Sequence, residues 1–180
     1  GDLFTARQKT ALGVLIKLFQ DESLVGADPR LRELLALSLG KLLRHCNVVS
    51  KWHRGSETVA GAFGMQALPM SWDFPEMFPL VSYAGGLDDA IDDVVQPITT
   101  VALAAMRTGI LENADAAEHP LPDESAGIWF TDPPYYFAIP YADLSDFFLV
   151  WLKRVLPSHS MLVDRFDPTN PLAHKERELC

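Results

Sequence analysis

Apolar positions in the first part of the chain recur at helical spacing. Leu12, Leu15, Ile16 and Phe19 fall at i, i+3, i+4 and i+7, and Thr5 stands three residues before Gln8, the spacing of a capping box. This predicts a helix from about Thr5 to Glu22. Asp28 followed by Pro29 reads as an N-cap with proline in the first turn. Leu31, Leu34, Leu35, Leu39, Leu42 and Leu43 then give a leucine-rich helix ending near Asn47. Together the two form a helical hairpin that must bury its faces against each other or against a larger body.

Glycines and prolines interrupt the pattern between residues 55 and 86: Gly55, Gly61, Gly64, Pro69, Pro75, Pro79 and Gly85-Gly86. A loop-rich stretch is expected there, anchored by residues such as Phe63, Met65, Trp72 and Phe74. A helix is predicted from Leu87, with Asp88 and Asp89 in the first turn where the helix dipole favours acids. Pro97 should bend or interrupt it, with a second helix from Ile98 to Met106.

Beyond Gly109 the pattern changes. Residues 109–116 read as a short strand ending in a polar turn, and a proline-containing loop follows over 119–125. Gly127-Ile128-Trp129-Phe130-Thr131 is a short apolar run of the kind that forms a buried parallel strand. It stops at Asp132-Pro133-Pro134, because two prolines cannot donate to a ladder. Asp143 to Leu156 is a predicted helix with Leu144, Phe147, Phe148, Trp151, Leu152 and Val155 on one face. Pro157 ends it. The chain therefore divides into a mainly helical segment over 1–108, part of an α/β sheet over 109–156, and an irregular tail over 157–180.

Composition narrows the classes. At 180 residues and 48% apolar, the chain is long enough for one domain with a core. No run approaches the roughly 18 apolar residues of a membrane span, so no membrane partner is expected. The N-terminus shows neither a signal peptide nor a basic transit segment, and a start at Gly1 leads to the expectation of a segment of a longer polypeptide. Cys46 and Cys180 stand far apart with no CxxC spacing, which excludes a zinc ribbon within these residues and fits a reducing, cytoplasmic setting. The five histidines show no ligand spacing, so no metal site is expected.

The net charge of −9 is unfavourable for a surface that tracks phosphates. It is unevenly spread, however. From Leu34 to Ser56 there is no acidic residue, while Lys41, Arg44, Lys51 and Arg54 are present with His45, Trp52 and His53 among them. Two readings stand: a solvated helix end and loop, or a DNA-binding patch with one stacking aromatic.

The candidate chemistry lies at Thr131-Asp132-Pro133-Pro134-Tyr135. A carboxylate and a kinked backbone at the carboxyl end of a strand sit where open α/β sheets place ligands. An exocyclic amine is a poor nucleophile because its lone pair is delocalised into the ring. Acceptors aimed at its hydrogens draw the nitrogen toward a tetrahedral arrangement and free the lone pair. Asp132 supplies one acceptor through its side chain. The Pro133 carbonyl supplies another, fixed by the proline backbone. Tyr135 offers a face on which a flipped base stacks, and alignment with a methyl donor would supply much of the rate. The alternative is a strand-ending turn in which Asp132 is a cap and Tyr135 a rim aromatic.

Asp-Pro-Pro-Tyr after an apolar strand resembles motif IV of the DNA methyltransferases that make N6-methyladenine or N4-methylcytosine. Residues 131–136, with Tyr141-Ala142-Asp143-Leu144-Ser145-Asp146-Phe147-Phe148 and the stretch from Phe63 to Phe74, are similar to large bacterial and archaeal adenine-specific methylases of the DUF1156 type. The resemblance implies a partial Rossmann-like class I fold, S-adenosyl-L-methionine as cofactor and DNA as substrate. It places Asp115 at the cofactor's adenine with Ala116 beside it, and Asp132, Pro133, Pro134 and Tyr135 at the target amine. Aspartate before Pro-Pro leans toward adenine. The chain departs from the family in three ways. An F-x-G-x-G cofactor turn is absent, since Ala60-Gly61-Ala62-Phe63-Gly64 reads as a loop. The ribose-binding acid has no assigned position. Phe137 and Ala138 stand where two polar residues follow the tyrosine pair. The glycine-rich loop is thus expected from the rest of the same polypeptide. Rival readings are a methyltransferase acting on RNA or a protein amide, and a truncated, non-catalytic module that binds nucleic acid or a partner through its helical part.

Overall fold

The computed structural model describes residues 3–26, 28–64, 72–104, 109, 121–133, 139, 141–159 and 162. In chain order the elements are α1 (Ala6–Gln20), α2 (Glu22–Val25), α3 (Pro29–His45), β1 (Lys51–His53), β2 (Thr58–Ala60), α4 (Leu87–Leu103) and α5 (Tyr141–Val155).

Helix α1 begins where local chemistry dictates. The Gln8 backbone N–H donates to the Thr5 hydroxyl at 3.2 Å, and the Thr5 N–H donates back to Gln8 Oε1 at 2.9 Å. Both halves of the expected capping box are therefore formed. At the start of α3 the Asp28 carboxylate accepts the Arg30 N–H at 3.0 Å, and Pro29 occupies the first turn, where its missing N–H costs nothing. Asn47 closes that helix. Its buried amide donates to the carbonyls of Leu43 and Arg44 at 2.8 and 2.9 Å, and its oxygen accepts the Val49 N–H at 2.9 Å, which turns the chain toward β1.

The core lies among α1, α3 and α5. Leu12, Leu15, Ile16 and Phe19 of α1 meet Leu39, Leu42 and Leu43 of α3, with Phe147 and Val155 of α5 closing the space. Phe63 reaches in from the loop after β2, edge-on to Phe147 at 5.0 Å and tilted to Phe148 at 5.4 Å. The face expected of the last helix is the one buried, although the helix starts at Tyr141. It packs into the α1–α3 pair, beside elements of the segment read from the sequence as separate.

Three features differ from the sequence-based expectation. Residues 51–60 form an antiparallel hairpin with Trp52 opposite Val59, not a loop. Helix α4 runs through Pro97 without a break. It does so on an exposed stretch, where the carbonyl that loses its donor can hydrate. Third, residues 127–131 carry no ladder: the only sheet among the described residues is β1–β2. Of the predicted strand over 109–116 only Gly109 is among the described residues, and the tail from residue 163 lies outside them. No helix of the described residues is long and apolar enough to cross a membrane.

Gly85-Gly86 sets the entry to α4. A Cβ on Gly86 would sit 1.9 Å from the Val81 carbonyl oxygen, and Gly85 adopts φ +90° against the His45 ring. Only glycine allows this close backbone approach. The Gly85 N–H is taken by Asp89 Oδ2 at 2.9 Å, and Lys41 forms an ion pair with Asp93 that ties α3 to α4.

Candidate functional site

Residues 121–133 run exposed along the surface, with a turn closed by the Ser125 N–H on the Pro122 carbonyl at 3.3 Å. Ile128 and Phe130 are 87% and 93% exposed, and Trp129 is 60% exposed. The apolar run read as a buried strand is thus largely exposed. Asp132 and Pro133 follow it directly, both exposed. Of the residues expected to carry chemistry, Pro134 and Tyr135 lie outside the described residues, as do Asp115 and Ala116. Of these six residues the described part of the structure holds only the adjacent pair Asp132-Pro133.

The four cations of the expected patch separate into two pairs. Lys41 is engaged with Asp93 on α4. Arg44 packs over Gly61, where a Cβ would meet its Cγ at 2.7 Å, and its Nε donates to the Ala62 carbonyl at 3.3 Å. It thus helps to position the chain after β2. Gly61 itself follows a hairpin strand that was not expected, and that strand pairs antiparallel. Lys51 and Arg54 remain exposed on the hairpin. Alternation along β1 sends Lys51 and Trp52 to opposite faces, so the cation and the aromatic do not share a surface. Between the pairs, burial holds the His45 imidazole below its ordinary pKa, partly offset by its contact with the Lys41 carbonyl at 3.3 Å.

Two cavities flank the loop that carries Glu76 and Met77. One, of about 340 Å³, is bounded by Arg7, Gln8, Ala11, Phe78 and Pro79 on the α1 side. The other, of about 370 Å³, opens between the hairpin and residues 75–84, with Trp52, Glu57 and Val59 on one wall and Met77, Val81 and Tyr83 on the other. Glu76 separates them. Its carboxylate accepts from the Thr5 hydroxyl at 2.6 Å and from Arg7, whose Nε lies at 3.2 Å. The Thr5 hydrogen bond, then that of Arg7, lowers the Glu76 pKa.

The second cavity was not foreseen from the sequence. The available signal was two short polar-flanked runs around a Gly55-containing turn, which is a hairpin pattern. Among the described residues no group of three or more His, Cys, Asp or Glu side chains is placed to hold a metal ion. No protein-family model, curated protein or solved structure matches this chain.

Proposed function

We propose that the chain carries the catalytic-motif segment of an S-adenosyl-L-methionine-dependent methyltransferase acting on an exocyclic amine in DNA, with adenine N6 favoured over cytosine N4. The observation that carries this reading is that Asp132-Pro133 follows the exposed run Ile128-Trp129-Phe130 with only Thr131 between. An apolar run left this exposed suits a strand whose neighbours come from further parts of the same polypeptide, including the glycine-rich cofactor turn. Asp132 is open to solvent, as an acceptor for an incoming amino group must be.

In this proposal Asp115 and Ala116 hold the cofactor's adenine, and Pro134 and Tyr135 complete the target pocket. The cofactor supplies an electrophilic methyl group on sulfur. Asp132 and the Pro133 carbonyl draw on the amino hydrogens. With the cofactor bound, the nitrogen lone pair would take its methyl group, the S–C bond breaking as the N–C bond forms, and one amino proton would pass to solvent.

The test is transfer of labelled methyl groups to unmethylated DNA by the complete gene product, with and without Asp132→Ala. The variant should lose activity by at least about 100-fold with its circular dichroism unchanged. An active variant would overturn the role of Asp132. A second reading rests on the exposure of Lys51 and Arg54: a module that binds nucleic acid without catalysis. It predicts DNA binding abolished by neutralising those two residues, with no affinity for the cofactor.

A further inference from the structure

The cleft between the β1–β2 hairpin and residues 75–84 has a chemistry that the methyl-transfer reading does not use. Its volume of about 370 Å³ suits a single small group. Trp52 and Val59, directly opposite each other across the two strands, share the face that lines it. Trp52 and Tyr83 are 53% and 67% exposed, so both rings keep open faces beside the cleft.

The charged side chains among its described lining are both carboxylates, Glu57 and Glu76. Glu76 is held from behind by Thr5 and Arg7. Among the described residues Glu57 is paired with no cation. It sits at φ 51°, a left-handed conformation that is uncommon outside glycine. Of the hairpin's two cations, Lys51 faces away by strand alternation, and Arg54, exposed in the same turn, forms no ion pair with Glu57. Apolar walls, two exposed aromatic rings and a carboxylate without a counter-ion are the features that recognise an organic cation on an apolar stem.

We infer that this cleft binds the side chain of a lysine or arginine presented by a basic peptide segment. The aliphatic stem lies along Val59, Met77 and Val81. The charged head meets Trp52, Tyr83 and Glu57. The acidic balance of the whole chain, −9, favours the approach of such a partner. This inference is independent of the proposed methyl transfer.

The test is titration of the chain with a capped Gly-Lys-Gly-Lys-Gly peptide and with its twin acetylated on both lysines, followed by NMR shifts of the indole N–H signals. Binding by the lysine peptide is expected within about 1 mM, with the acetylated twin at least about tenfold weaker. Glu57→Gln and Trp52→Ala should each weaken binding by at least about fivefold. Asp92→Asn removes the same charge from the exposed face of α4 and should leave it unchanged. Three results would each overturn the site: equal binding of the two peptides, equal weakening by Asp92→Asn and Glu57→Gln, or no binding of the lysine peptide. Glu57→Gln alters an exposed turn residue, so it reads out the site even if Trp52→Ala disturbs the hairpin.

Discussion

The ring of Phe4 meets Trp151 edge-to-face, with centroids 5.0 Å apart and planes at 71°, and stacks on Phe147 at 5.6 Å. A residue ahead of the first helix is thereby packed onto the last. Edge and stacked geometries both suit the ring quadrupole, and the contact adds to the burial of a ring that is 9% exposed. Phe4→Ala should cost about 3 kcal/mol in urea unfolding. A cost below about 1 kcal/mol would show that the segment ahead of α1 is not part of the cooperative core.

Glu76 joins the start of α1 to the loop between the two cavities. Its pKa is lowered first by the Thr5 hydroxyl and then by Arg7. A carboxylate whose pKa is depressed in the folded chain contributes stability above its unfolded value of about 4.3. That contribution is lost as pH falls through the folded value. The wild-type urea midpoint should therefore drop more between about pH 6 and about pH 3 than that of Glu76→Gln. Parallel curves would remove Glu76 from the acid response.

Cys46 is fully buried at the end of α3, and burial pushes its thiol up to about 11. The thiolate is the reactive species, so the folded chain should protect Cys46 from alkylation at pH 8 while the unfolded chain does not. Mass-spectrometric mapping of iodoacetamide adducts with and without urea checks this. Rapid labelling in the native state would contradict the packing around α3.

Asp132 is exposed, and its removal should not disturb the fold. The thermal midpoint of Asp132→Ala is expected to match the wild type, with a stability change within about 0.5 kcal/mol. Combined with the activity assay, this separates a chemical role from a structural one. A large fall in the midpoint would favour the strand-ending turn read as the alternative.

The helical part was legible because its signals are local. Thr5 and Gln8 satisfy each other across one turn, Asp28 and Pro29 act within one dipeptide, and Leu39, Leu42 and Leu43 of α3 mark its buried face, while Leu31 of the same leucine pattern is exposed. The hairpin was missed because strands of three residues are too short to show alternation, and Lys51, Trp52 and His53 look like a polar loop. Pro97 misled for a related reason: proline breaks helices on average, but an exposed turn tolerates the lost hydrogen bond. The Asp132-Pro133 motif was legible as chemistry because its parts are contiguous. The cleft was not. Trp52 and Glu57 come from the hairpin and Glu76 and Tyr83 from the loop before α4, and no spacing in one dimension announces their convergence.

The exposed strip Ile128-Trp129-Phe130 also has a consequence for the chain in concentrated solution. An exposed, extended apolar segment is prone to associate with another copy at high protein concentration. Light scattering should rise with concentration, and lysine at Ile128 and Phe130 should suppress it while leaving the helices intact. The exposure of these three side chains thus bears on self-association as well as on the proposed site.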